Sequence, residues 1–128
     1  MNKPRVLIIE DDRDNMDLMR FMMEREGYEV LEAHDGRKGL EIARAVLPDL
    51  ALVDLAMPEV DGWTVTRELK ADPATRQIKI VVVTVRSLLE DRLRAQEAGC
   101  DAYITKPMSM TQLAEVVAQY LHINGSKG

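Results

Sequence analysis

Glu10, Asp11 and Asp12 stand together after a short apolar run, and Asp54 ends a second such run. Thr84 follows a third, and Lys106 with Pro107 follows a fourth. In open parallel sheets ligands collect beyond the carboxyl ends of the strands, so these residues would meet in one crevice. A nucleotide-binding fold would put a glycine-rich turn after its first strand, where backbone amides cradle phosphate. Here acid stands in place of glycine, so this end is expected to bind a cation. Three carboxylates held close repel one another, which raises the pKa of at least one unless a cation neutralises them. Hard oxygen ligands suit magnesium, which takes one or two carboxylates and keeps waters that a phosphate can replace. A hydroxyl at Thr84 and an ammonium at Lys106 would hold phosphoryl oxygens opposite the acids. Asp54 would then be the nucleophile.

Each residue has a plainer reading when taken alone. Asp12 and Asp14 suit the cap and first turn of a helix. Thr84 is an ordinary β-branched strand residue, and Lys106 an ordinary surface charge. The phosphoryl reading of Glu10, Asp11, Thr84 and Lys106 depends on their occurring together at successive strand ends.

The elements that would position them are legible as alternating patterns. Val6 to Ile9, Leu50 to Val53 and Ile80 to Val83 are short, β-branched runs expected of strands covered on both faces. Val30 to Ala33 and Ala102 to Ile104 are weaker strand candidates. Helical spacing marks Asp14 to Glu26, Gly36 to Val46, Thr64 to Lys70, Leu88 to Ala98 and Met110 to Leu121. Gly27, Pro48, Asp72-Pro73 and Gly99 punctuate the ends. Five strand and helix alternations predict crossover connections and a parallel α/β sheet.

The chain has 128 residues, 46% of them hydrophobic, which suits one domain with a single core. With only 4% aromatics, aliphatic residues and eight methionines must fill that core. A net charge of -5 argues against direct binding to nucleic acid or an anionic membrane. Cys100 is the only cysteine, so no intrachain disulfide can form; it is expected to be a small buried apolar residue in a reducing compartment. No long apolar leader or membrane-length stretch is visible, and a cytoplasmic protein without membrane insertion is expected. Residues 125–128 read as a disordered tail.

Taken together, Glu10-Asp11, Asp54 with Met57-Pro58 and Asp61-Gly62, Thr84, and Lys106-Pro107 resemble the receiver domains of two-component response regulators. The resemblance covers nearly the whole chain, with a receiver domain over residues 1–124. It implies a doubly wound, flavodoxin-like five-stranded parallel sheet of order 2-1-3-4-5. It implies magnesium, with manganese as a substitute, held by the side chains of Asp11 and Asp54 and by the Ala56 backbone carbonyl, with Glu10 acting largely through water. It further implies that Thr84 and Lys106 contact the phosphoryl group, that the Lys-Pro peptide is commonly cis, and that Tyr103 reorients on activation. The phosphoryl donor would be a histidine on a kinase or phosphotransfer protein. His34 and His122 of this chain lie outside the matched positions. The face built from the fourth helix, fifth strand and fifth helix would report the switch to a downstream protein. Such a chain is a signalling protein rather than a turnover enzyme.

Several positions depart from the usual pattern. Val85 stands where receivers usually carry a small residue, and Ala56 has no group to orient water; both predict a long-lived aspartyl phosphate. Arg86 could act in either direction, and Met108 carries no assigned role. The first helix carries two apolar sets, Leu18 with Met22 and Met16 with Met19 and Met23. Either both join a broad core face, or one remains exposed as an adaptable methionine docking patch. The enzymatic rival is an aspartate-based, magnesium-dependent phosphatase, but Ala56 cannot supply its usual second acid. A flavin carrier is disfavoured by the acidic first turn. A receiver fragment of a longer DNA-binding or enzymatic regulator is a further alternative.

Overall fold

The computed structural model describes residues 3–121. Strands β1 (Arg5–Ile9), β2 (Glu29–Ala33), β3 (Leu50–Val53), β4 (Lys79–Thr84) and β5 (Ala102–Thr105) alternate with helices α1 (Arg13–Arg25), α2 (Gly36–Val46), α3 (Gly62–Ala71), α4 (Leu89–Ala98) and α5 (Met110–Leu121). The strands form one parallel sheet in the order β2-β1-β3-β4-β5. The expected fold class and strand order are therefore found.

Alternation along β1 divides the core. Val6 and Ile8 face a cluster that includes the buried side chains of α1 and α5, whereas Leu7 and Ile9 face a second cluster with Leu40, Ala43, Val65 and Leu69 of α2 and α3. A smaller cluster of Leu55, Trp63, Val82 and Ala95 lies under α3 and α4. Both faces of the central strands are covered, which is why their sequences run apolar without a polar alternate.

Helices α2 and α5 start where expected and α4 one residue later, but α1 and α3 start slightly ahead of the spacing-based expectation, because capping rather than apolar periodicity sets them. Asp12 accepts the Asn15 amide at 2.9 Å and α1 begins at Arg13. Asp61 accepts the Thr64 amide at 2.8 Å and starts α3 at Gly62. These bonds satisfy amides that a helix start leaves without internal partners. Asp12 thus fills the capping role expected of it, and Asp14 lies in the first turn.

The methionine docking patch is not found. Met16, Met19, Met22 and Met23 are all buried against β1, β3 and the α5 face. The large apolar side chains of α1 left exposed are instead Leu18 and Phe21. Cys100 is half-buried rather than fully enclosed, and burial pushes its thiol pKa up. His122 and the tail at 125–128 lie outside the described residues. Among the described residues, no helix is long and apolar enough to cross a membrane.

Candidate functional site

The parallel register brings the predicted residues to one edge. Ile9 pairs with Val53, so Glu10 and Asp54 leave adjacent strands side by side. Thr84 pairs with Thr105, which puts Lys106 one residue beyond the end of the neighbouring ladder. One carboxylate oxygen from each of Glu10, Asp11 and Asp54 lies within 4.8 Å of the others. Glu10, Asp54 and Thr84 are buried, while Asp11 is exposed at the mouth.

Lys106 spans the acids: its Nζ donates to Glu10 Oε1 at 2.8 Å and to Asp54 Oδ2 at 3.2 Å. The second oxygen of Glu10 accepts the Asp12 amide at 3.1 Å, and Asp54 Oδ1 accepts the Ala56 amide at 3.1 Å. Burial raises the Glu10 pKa, and the negative charge of Asp54 adds to it against the lowering effect of Lys106. For Lys106 burial favours the neutral amine, but the bond to Glu10 and the charge of Asp54 outweigh it and leave its pKa raised. Lys106 accordingly stays an ammonium.

The loop after β3 is built for close approach. A Cβ on Gly62 would come within 2.3 Å of the Asp54 carbonyl oxygen, so only glycine lets the start of α3 pack against that strand end. Asp61 caps the same helix, which gives Asp61-Gly62 a structural reason beside the acid. Glu59 in this loop has a positive φ of 64°, strained for a residue with a Cβ. The Lys106–Pro107 peptide is cis.

Tyr103 is half-buried, packed against the cluster under α3 and α4, and donates its hydroxyl to the Arg86 carbonyl at 2.7 Å. Val85 is 65% exposed beside Thr84. Met108 packs against the core. His34 is exposed near Arg13 and Glu32. A cavity of about 890 Å³ lined by Arg5, Asp49, Lys79 and Tyr120 lies at the opposite, amino-terminal end of the sheet.

The sequence reading missed the role of Asp91 and the side-chain direction of Arg86. Arg86 Nε donates to Asp91 Oδ1 at 3.2 Å, and Asp91 is buried at the start of α4. The sequence offered only an acid in a first helical turn, an ordinary feature.

A parallel sheet of this order with acids at the ends of β1 and β3 and a lysine after β5 defines a receiver-type module. Residues 6–118 match the family described as response regulator receiver domain, and the chain belongs to it. Over 116 residues the chain is 40% identical to the polar-differentiation response regulator DivK of Brucella anthropi, covering 91% of this chain and 94% of that protein. Among solved structures, a CheY-like response regulator receiver domain protein from Methanospirillum hungatei superposes with a TM-score of 0.90 at 30% identity, covering 99% of this chain and 100% of the other. The receiver domain of a sensor histidine kinase from Pseudomonas aeruginosa superposes with a TM-score of 0.86 at 28% identity, covering 92% and 97%, and carries a magnesium ion coordinated in its active-site cleft. The chain is thus a receiver domain of two-component signalling, with a phosphoacceptor signalling role at the level of the family.

Proposed function

We propose that Asp54 is the phosphoacceptor of this receiver domain, taking a phosphoryl group from a histidine of a kinase or phosphotransfer protein. The observation that carries this reading is the convergence of Glu10, Asp11 and Asp54 on one edge with Lys106 Nζ between two of them. A carboxylate oxygen of Asp54 would form the new O–P bond as the P–N bond to the donor imidazole breaks, and the imidazole nitrogen would leave with the bonding pair. Lys106 would hold a phosphoryl oxygen by turning from Asp54, and Thr84 would donate its hydroxyl to another.

The hard-oxygen donor set fits magnesium, held by the Asp11 and Asp54 side chains and the Ala56 carbonyl, with Glu10 through water and manganese as a substitute. When bound, the cation would supply neutralisation of charge shared by the carboxylates and the phosphoryl oxygens. Thr84 and Tyr103 would relay occupancy of Asp54 to the face formed by α4, β5 and α5, which a downstream protein would read. A location in the cytoplasm suits the histidine kinase partner. Ala56 has no side-chain group to position water, which disfavours both phosphatase turnover and rapid release of the phosphoryl group.

Incubation with acetyl phosphate and magnesium should add one phosphoryl group, read by mass spectrometry, and Asp54→Asn should abolish the addition. Equal labelling of Asp54→Asn would defeat the assignment.

A further inference from the structure

The strongest feature outside the acidic edge joins Arg86, Asp91 and Trp63. The Asp91 side chain is 7% exposed and pairs with Arg86 at 3.2 Å, whose guanidinium lies 5.1 Å from the centre of the Trp63 ring. Trp63 Nε1 donates to the Asp91 carbonyl at 3.4 Å, and Arg94 covers the same ring at 4.1 Å. The first turns of α3 and α4 are therefore tied to one arginine of the β4-to-α4 loop. The backbone of that arginine is engaged too: its amide donates to Thr84 Oγ1 at 3.3 Å, and its carbonyl accepts the Tyr103 hydroxyl at 2.7 Å. Arg86 thus holds the hydroxyls of Thr84 and Tyr103 through its main chain, while Asp91 and Trp63 hold its side chain against α3 and α4.

We infer that the Arg86–Asp91 pair, seated on Trp63, is a positioning latch that preorganises Thr84 and Tyr103 for a phosphoryl group at Asp54. This rests on the phosphoacceptor reading of Asp54. With its oxygen accepting from the Arg86 amide, the Thr84 hydroxyl keeps its proton free to donate to a phosphoryl oxygen. Without the latch, the loop samples other arrangements and only a fraction of molecules present Thr84 correctly. Apparent affinity for a phosphoryl group then falls by that fraction. The α4 start has no side-chain cap of its own, as Leu88 occupies the cap position, so Asp91 and its partner also carry the definition of that helix end.

The test uses beryllofluoride with magnesium as a phosphoryl mimic. Binding is read by fluorine NMR, and the switch is read from the Tyr103 amide. Arg86→Ala, Asp91→Ala and the double variant should each weaken apparent binding by about fivefold, the double no more than either single, because each breaks the same pair. The double variant leaves no unpaired buried charge, and circular dichroism checks that it is folded. Native affinity in the folded double variant, or penalties that add, would overturn the latch while leaving Asp54 as acceptor. Failure of the native protein to bind beryllofluoride would overturn the acceptor reading and the latch with it.

Discussion

Glu10 and Lys106 show how burial and charge divide the work at the acidic edge. Glu10 has its pKa raised above the usual 4.5, first by burial and then by the charge of Asp54. A carboxyl that holds its proton more tightly when folded favours the folded state at low pH. That contribution fades as pH rises from the unfolded value through the raised folded one. In metal-free buffer, native protein should therefore lose stability relative to Glu10→Gln across that window, as measured by thermal melts at stepped pH. Magnesium should reverse the trend: at ten times its dissociation constant it would add about 1.4 kcal/mol. That gain should shrink below the raised Glu10 value, where protons compete for the site. Val85, next in the chain to Thr84, is open to solvent, and shielding of the phosphoryl group by it is testable. Val85→Ala should shorten the aspartyl-phosphate half-life, and an unchanged half-life would remove shielding from the account.

At the scale of elements, the loop from β3 to α3 joins two requirements that conflict locally. Gly62 must be glycine because its missing Cβ would meet the Asp54 carbonyl, which is backbone and cannot move aside cheaply. Gly62→Ala should cost about 2 kcal/mol or more in chemical denaturation and weaken magnesium binding, since the displaced atoms belong to Asp54. Glu59 is the opposite case, an exposed residue with positive φ. Glu59→Gly should raise stability by roughly 0.5–1 kcal/mol, because relief of the left-handed strain outweighs the added freedom of the unfolded chain. A loss of stability would show that the Glu59 side chain holds a contact worth more than the strain.

For the whole molecule, the packing of α1 decides between core and docking. Met16 is fully buried between the sheet and α5, so Met16→Ala should destabilise the domain by about 2–5 kcal/mol. Met16→Glu should unfold it rather than selectively stop phosphotransfer, which circular dichroism would distinguish at once. The exposed apolar side chains of α1 belong to Leu18 and Phe21, and the periodicity of α1 could not show this. Five apolar side chains in two helical sets describe a wide stripe. Which edge of that stripe meets solvent depends on where β3 and α5 lie, and neither is local in sequence.

The sequence by itself determined the alternation of strand and helix, since short β-branched runs and 3.6-residue spacing are local consequences of sterics and burial. It also singled out the set Glu10, Asp11, Asp54, Thr84 and Lys106, because each stands at or just beyond the end of an apolar run. Tertiary structure alone decided that these residues meet, through a parallel register that sets Ile9 beside Val53 and Thr84 beside Thr105. It alone seated Arg86 on Trp63, because α3, distant in the chain, packs beside α4 and the loop that carries Arg86. Local sequence carries the period and the chemistry of each residue. The partner of each side chain is fixed only when the sheet brings distant strand ends to a common edge.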